Sequence, residues 1–326
     1  MSNIVCKQIL QNINQAEHIL LLTDERIDGD TLGATLGMYH VLQELGKNVS
    51  VYSPQPVPES LAFIAGTEII GFDDSIFGDD TIDLLMIFDC SDGEYIKGPL
   101  PTMKKKTPLI VFDHHDSNPY YGTINIINPQ AASTADMVWS FVKEVKLPMN
   151  KKAAECFLTG ICSDTNIFLT ANTTAACLDA AHELSAYGAR FRDIVDKLFM
   201  NRDLPTLRLW GLAFERLYHD DEFGVVATAI TKRDMQDLGV TEADTKSMIN
   251  FLNAFLEGVE TILVLREQED GSVKGGLRSH TNCLTLAIKY GGGGHIKAAG
   301  FKIKRAHLQE KDGKWFVIRE QPEKQN

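Results

Sequence analysis

The sequence predicts a two-part α/β protein: an N-terminal doubly wound, mainly parallel sheet, then a smaller α/β unit. Three observations carry that reading. Short apolar runs alternate with stretches of helical periodicity, the pattern of βαβ units. Asp24, Asp89 and Asp113 stand at the ends of such runs, where open parallel sheets hold their ligands. The pattern then turns almost wholly helical from Thr173 to Tyr218, and strand character restarts beyond it.

Taken in order, residues 3–16 carry helical spacing, and His18 to Thr23 is an apolar run that reads as a strand. An acidic loop separates it from the periodic stretch Thr31 to Leu45, which Gly46 ends as a glycine C-cap. Val49 to Tyr52 reads as a strand, Ser53 to Pro58 as a proline-rich turn, and Leu84 to Asp89 and Leu109 to Phe112 as buried strands. Ser133 with Asp136 gives a capping-box start for a helix through Val142, and Ala153 to Ile161 is a second helix leading into another acidic loop. The helical stretch after Thr173 is interrupted at Gly188 and Pro205. Beyond it come a strand from Phe223 to Ile230, a helix from Glu242 to Phe255 and a strand from Thr261 to Leu265. Asp270-Gly271 makes a hairpin turn into Val273 to Leu277, and a helix from Leu284 to Lys289 runs into Gly291 to Gly294. The chain after Lys304 reads as an edge strand with a polar, mobile end.

Composition narrows the classes of function. A chain of 326 residues buries about three quarters of its extended surface, enough for one or two cores. With 44% hydrophobic and 23% charged residues and 11 prolines, it is neither disordered nor of low complexity. No apolar run approaches the roughly 18 to 20 residues of a membrane helix or the length of a signal-peptide core, so a cytoplasmic protein without a membrane partner is expected. The six cysteines form no CxxC pair, which argues against a disulfide framework and a thiolate zinc site. A net charge of −12 argues against a long footprint on duplex DNA. The charge is unevenly spread: residues 1–190 carry 12 basic and 24 acidic side chains, whereas residues 271–326 carry 11 and 4. An acidic body with a basic C-terminal segment suits a small phosphate-bearing substrate held between a metal site and a basic cap; unbiased surface charge explains it equally well.

The acidic residues are grouped. Asp24-Glu25-Arg26-Ile27-Asp28-Gly29-Asp30, Asp89-Cys90-Ser91-Asp92, Asp113-His114-His115-Asp116 and Ser163-Asp164-Thr165-Asn166 each follow an apolar run. Carboxylates massed on one sheet edge repel one another and persist together when cations neutralise them; carboxylate with imidazole suits Mn²⁺, Mg²⁺, Fe or Zn²⁺. A dinuclear metal site is the physical reading. Asp30 or Asp164 taken alone would be an N-cap or a solvated loop residue.

These motifs resemble those of the DHH phosphoesterases, a family named for the triplet that stands here as Asp113-His114-His115. Asp28-Gly29-Asp30, Asp89-Cys90-Ser91-Asp92, the triplet itself and Asp164-Thr165 are similar to that family's four motifs in order. Leu277-Arg278-Ser279 and Gly291-Gly292-Gly293-Gly294-His295-Ile296-Lys297-Ala298-Ala299-Gly300 resemble its DHH-associated C-terminal domain. The resemblance covers roughly residues 18 to 304. It implies a catalytic metal-binding domain over residues 1–190, a helical connector over 191–220 and a substrate-binding domain over 221–326, with the active site in a cleft between them. It implies two divalent ions, Mn²⁺ ahead of Mg²⁺, with Asp28 on the first, Asp89 bridging and acting in catalysis, and Asp30, His114 and Asp164 on the second. His115 would serve the phosphoryl oxygens as donor or acid, and Arg278, Ser279, Gly292, Gly293, Gly294 and His295 would hold substrate phosphate. Ser133 and Thr134 are similar to a family motif too, although helix capping already explains Ser133.

The first motif departs from the family pattern. A histidine normally stands four residues before Asp28, and here that residue is Asp24, with Ile27 where proline is usual. As a metal ligand, Asp24 would favour harder ions and add negative charge beside an anionic substrate. The chain resembles the nano-RNase branch, whose members hydrolyse short RNA and dinucleotides to nucleoside monophosphates and in some cases remove a phosphate from adenosine bisphosphate. The alternatives are a cyclic-dinucleotide phosphodiesterase and a nucleotide-binding sensor that has lost hydrolysis through Asp24. The oligomeric state stays open, a homodimer included.

Overall fold

In the computed structural model, residues 3–319 are described apart from 104–105, 201–202, 246–247, 257 and 295. Continuous apolar runs make the centre of the first sheet. Its six parallel strands are β1 (His18–Leu22), β2 (Asn48–Tyr52), β3 (Ile70–Gly71), β4 (Leu84–Phe88), β5 (Leu109–Asp113) and β6 (Ile124–Ile127), in the spatial order β3-β2-β1-β4-β5-β6. Every residue of β1, β4 and β5 is buried, as strands covered on both faces must be. Ile19, Leu21, Met86, Phe88, Ile110 and Phe112 point to one face. Packed there are α1 (Asn3–Gln15), α2 (Gly29–Glu44), α3 (Thr134–Glu144), α4 (Lys151–Asp164), α5 (Ala175–Ala186) and α6 (Phe191–Val195). Leu20, Leu22, Leu85, Ile87 and Val111 fill the other face with Phe77 and Ile96 from single-turn 3-10 helices.

Strand order reverses between β1 and β4, so the crevice beyond their carboxyl ends is where such a sheet receives a ligand. One packing contact then sets the site. A Cβ on Gly33 of α2 would come within 2.6 Å of the Cys156 carbonyl oxygen and 2.7 Å of Gly160 Cα on α4, so the two backbones touch there. That approach brings the start of α2, with Asp28 and Asp30, beside the end of α4, with Asp164.

The chain divides into two units, Met1–Met200 and Asn201–Asn326. The second holds α7 (Leu204–Glu215), β7 (Tyr218–Asp220), β8 (Val225–Ile230), α8 (Lys232–Leu238), α9 (Met248–Phe255), β9 (Thr261–Glu267), β10 (Val273–Ser279), α10 (Leu284–Lys289), β11 (Gly293–Gly294), β12 (Ala298–Ile303), β13 (Ala306–Lys311) and β14 (Lys314–Arg319). Its mixed sheet has the order β11-β12-β10-β9-β8-β7; β8 and β9 are parallel and the other pairs antiparallel. Helices α7, α8 and α9 cover one face, and α10 with the β13–β14 hairpin covers the other.

Several local expectations are corrected. The capping box at α3 is half made: the Asp136 N–H donates to Ser133 Oγ at 3.1 Å, but the Asp136 carboxylate does not answer it and its buried Oδ1 has no partner. Pro205 lies in the first turn of α7, where a missing N–H leaves nothing unsatisfied, and the helix begins behind its cap Asp203. The helix expected from Glu242 to Phe255 is a 3-10 turn, Glu242–Thr245, and a separate α9. The C-terminal segment is a hairpin with its own two-stranded sheet; residues 320–326 lie outside the described ones.

Candidate metal centre

Asp28 is the N-cap of α2, and its Oδ1 accepts the N–H of Asp30 at 2.9 Å and of Thr31 at 3.0 Å. This cap points Asp30 into the protein. The Asp30 carboxylate, 1% exposed, accepts the Thr134 N–H at 2.7 Å and the Ala135 N–H at 2.9 Å, so it lies on the N-terminus of α3, where free amides and the helix dipole favour an anion. Asp89 directly follows β4 with φ of 60°, a left-handed conformation that aspartate tolerates better than most residues. Its two oxygens accept hydroxyl hydrogens from Thr31 at 2.7 Å and Thr134 at 3.0 Å. Asp164 closes α4, and Asn172 reaches its backbone carbonyl and carboxylate at 3.4 and 3.5 Å. Nε2 of His114 stands 3.6 Å from Asp164 Oδ2 and 3.7 Å from Asp89 Oδ1.

The ligand atoms of Asp30, His114 and Asp164 lie within 4.8 Å of one another, as do those of Asp89, His114 and His115. Their electrostatics fit a cation. Burial, then the fields of Asp164 and Asp28, lift the Asp30 carboxyl well above the ordinary range. Burial, then Asp30 and Asp28, does the same to Asp89; burial with Asp28 pushes Asp164 up to about 7. Two buried carboxylates and a half-buried one that resist ionising together become a competent anionic cage when a divalent ion joins them, and oxygen with imidazole donors is the set such ions take.

His115 plays a different part. Its Nδ1 is 2.7 Å from Asp113 Oδ1, and Asp113 is fully buried and fixed further by Asn118 Nδ2 at 2.7 Å. Burial opposes a charged ring, yet the Asp113 hydrogen bond and the Asp89 charge outweigh it and raise His115 to about 9. With Nδ1 engaged by Asp113, a contact from His115 to a metal or a substrate would have to come through Nε2. Burial and the neighbouring His115 lower His114 instead, keeping its ring neutral for ligation.

This arrangement agrees with the comparisons with known proteins. Residues 18–161 match the DHH family N-terminal domain and residues 223–312 match the DHHA1 domain. A bifunctional oligoribonuclease and PAP phosphatase, NrnA, of Thermus thermophilus is 30% identical over 90% of this chain and 86% of its own. The chain belongs to the DHH family. The Bacillus subtilis NrnA is 24% identical over 91% of this chain and 92% of its own. A cyclic-di-AMP phosphodiesterase, PdeA, of Listeria monocytogenes is 25% identical over 94% of this chain, which spans 48% of that protein. The crystal structure of an exopolyphosphatase-related protein from Bacteroides fragilis superposes with a TM-score of 0.83 at 23% identity, covering 92% of this chain and 91% of that one, and so shares the fold.

Of the DHH-motif residues, the structure gathers Asp30, Asp89, His114, His115 and Asp164. Asp28 caps α2 beside them, and Asp24 turns to Arg26. In the DHHA1 unit, Arg278 is on β10, where its Nη1 donates to the Leu277 carbonyl at 2.9 Å and burial lowers its pKa. The Ser279 hydroxyl is 3% exposed and ties Thr261 to the Glu260 carbonyl. Gly292 is pressed against β12, where a Cβ would lie 2.0 Å from the Gly300 carbonyl oxygen; Gly293 and Gly294 form the short strand β11 beside it. His295 lies outside the described residues. The sequence did not disclose the supporting residues Thr31, Asn118 and Asn172; a hydroxyl directly after Asp30 was the one available hint.

Proposed function

We propose that the protein is a divalent-metal phosphodiesterase that cuts dinucleotides and very short RNA to nucleoside monophosphates and also removes a phosphate from adenosine bisphosphate. The observation that carries this reading is the pair of overlapping metal-capable groups, Asp30 with His114 and Asp164 and Asp89 with His114 and His115, that share His114. A bound divalent ion, Mn²⁺ in our reading, supplies a Lewis acid for the phosphoryl oxygen and a water of lowered pKa. The chain's own residues do the rest. Thr31 and Thr134 fix the Asp89 carboxylate, the α3 amides fix Asp30, and Asn172 fixes Asp164. Asp113 engages Nδ1 of His115, and in this reading the ring donates to a phosphoryl or leaving oxygen through Nε2. Arg278, Ser279, Gly292, Gly293, Gly294 and His295 would bind the substrate's phosphate, Ser279 by holding the end of β10 in place.

Sequence likeness supports the substrate class, since the oligoribonuclease relatives match over nearly their whole length and the cyclic-dinucleotide enzyme over about half of its own. The test is mononucleotide release from a labelled linear dinucleotide, alongside adenosine bisphosphate and cyclic di-AMP, with Mn²⁺, Mg²⁺ or a chelator. Metal-dependent cleavage of the linear substrate, abolished in Asp89→Asn, is expected. Faster cleavage of the cyclic substrate would transfer the protein to the other branch.

A further inference from the structure

The position where the family pattern has its first histidine is engaged in another way here. Asp24, its side chain 5% exposed, accepts through Oδ1 the Arg26 N–H at 2.7 Å and the Arg26 Nε–H at 3.2 Å. A buried carboxylate already paired with a guanidinium is a poor ligand, because a metal would have to break the pair and leave the arginine uncompensated. Neither Asp24 nor Asp28 enters the metal-capable groups among the described residues. The residues at this first position therefore do not fit a second divalent ion. Arg26 itself fits what such an ion does. Its side chain is 66% exposed, and Nη2 donates to Ser91 Oγ at 3.3 Å, two residues beyond Asp89. The guanidinium thus reaches from the end of β1 to the end of β4, the edge that carries the metal cage, and its Nη1 has no acceptor among the described residues.

We propose that Arg26, anchored by Asp24, replaces the second cation: the protein holds one divalent ion, at the overlapping groups Asp30–His114–Asp164 and Asp89–His114–His115, and the Arg26 guanidinium binds the substrate's phosphoryl oxygens. The proposal rests on the phosphodiesterase reading. It also removes the difficulty of a carboxylate at the histidine position, since Asp24 and Arg26 together are neutral and add no charge against an anionic substrate. A planar fork of donors suits two phosphoryl oxygens, which a lysine at the same place would not match.

Metal stoichiometry tests it directly. Calorimetric titration of metal-free protein with Mn²⁺ is expected to give one ion per chain, with the six-line paramagnetic resonance spectrum of an isolated ion. The double variant Asp24→His/Arg26→Ala, checked for native circular dichroism, is expected to take up two ions with an exchange-coupled spectrum. Two coupled ions in the wild type overturn the proposal without any variant. For the phosphate contact, Arg26→Ala should weaken nucleoside monophosphate binding roughly 10- to 100-fold, as the loss of a charge-assisted hydrogen bond does, while still holding one Mn²⁺, and Arg26→Lys should restore only part of it. Unchanged nucleotide affinity in Arg26→Ala overturns that contact. A wild type that binds one Mn²⁺ and binds nucleotide through Arg26, yet cleaves no dinucleotide, supports this inference and overturns the phosphodiesterase reading instead.

Discussion

Asp136 shows how a residue can be legible in type and misread in role. It stands where a capping box needs an acidic side chain, yet it is 6% exposed with Oδ1 unpartnered, and burial pushes its carboxyl up to about 6. A raised carboxyl pKa means that the folded state holds the proton more tightly. The stability linked to that proton is fully present below the unfolded value near 4 and is lost as pH rises through 6. At neutral pH the charged form therefore costs on the order of 2–3 kcal/mol. Asp136→Asn should raise stability by about 1–3 kcal/mol at pH 7.5 and by nothing at pH 4, read from urea unfolding at the two pH values. An equal gain at both would mean that packing, not ionisation, makes this position unfavourable.

At the scale of elements, the site depends on how closely α2 and α4 approach. Gly33→Ala places a methyl against the Cys156 carbonyl and the Gly160 backbone, and neither can yield as a flexible side chain would. The helices must separate, at an overpacking cost of about 1–3 kcal/mol, and Asp30 must move away from Asp164. Weaker Mn²⁺ binding together with a lower Tm is the expected outcome; Gly78→Ala, with nothing within 4 Å, should change neither. The sequence could not show this contact, because glycines in a helix raise no signal until the partner helix is known. It did show β1, β4 and β5, since strands buried on both faces must be apolar throughout. Two-residue β3 and half-buried β6 carry too little apolar pattern to read. The cage residues were legible because they stand in acidic clusters that each follow an apolar run, whereas Asn118 and Asn172 act through local turns whose geometry no spacing encodes.

Across the whole molecule, every metal-capable group found among the described residues belongs to the unit Met1–Met200, and that unit carries a cost when metal-free. Asp164 titrates at about 7 because burial and Asp28 disfavour its charge. As a raised carboxyl, it contributes stability below pH 4 that is lost as pH rises through 7, so the metal-free protein should be less stable at pH 8 than at pH 5.5 on its account. A divalent ion reverses this, since it binds the ionised cage, releases the protons and stabilises the native state by about 2.7 kcal/mol at a hundredfold excess over Kd. Mn²⁺ should therefore raise Tm strongly at pH 8, by several degrees on the roughly 2–4 °C per kcal/mol typical of a unit this size, and only weakly at pH 5.5, where protons compete for the same oxygens. Hydrogen exchange localises the effect: the added protection should fall on peptides from residues 1–200, centred on the starts of α2 and α3 and the end of α4. Equal stabilisation at both pH values, or protection centred on residues 201–326, would place the dominant ion outside the carboxylate cage.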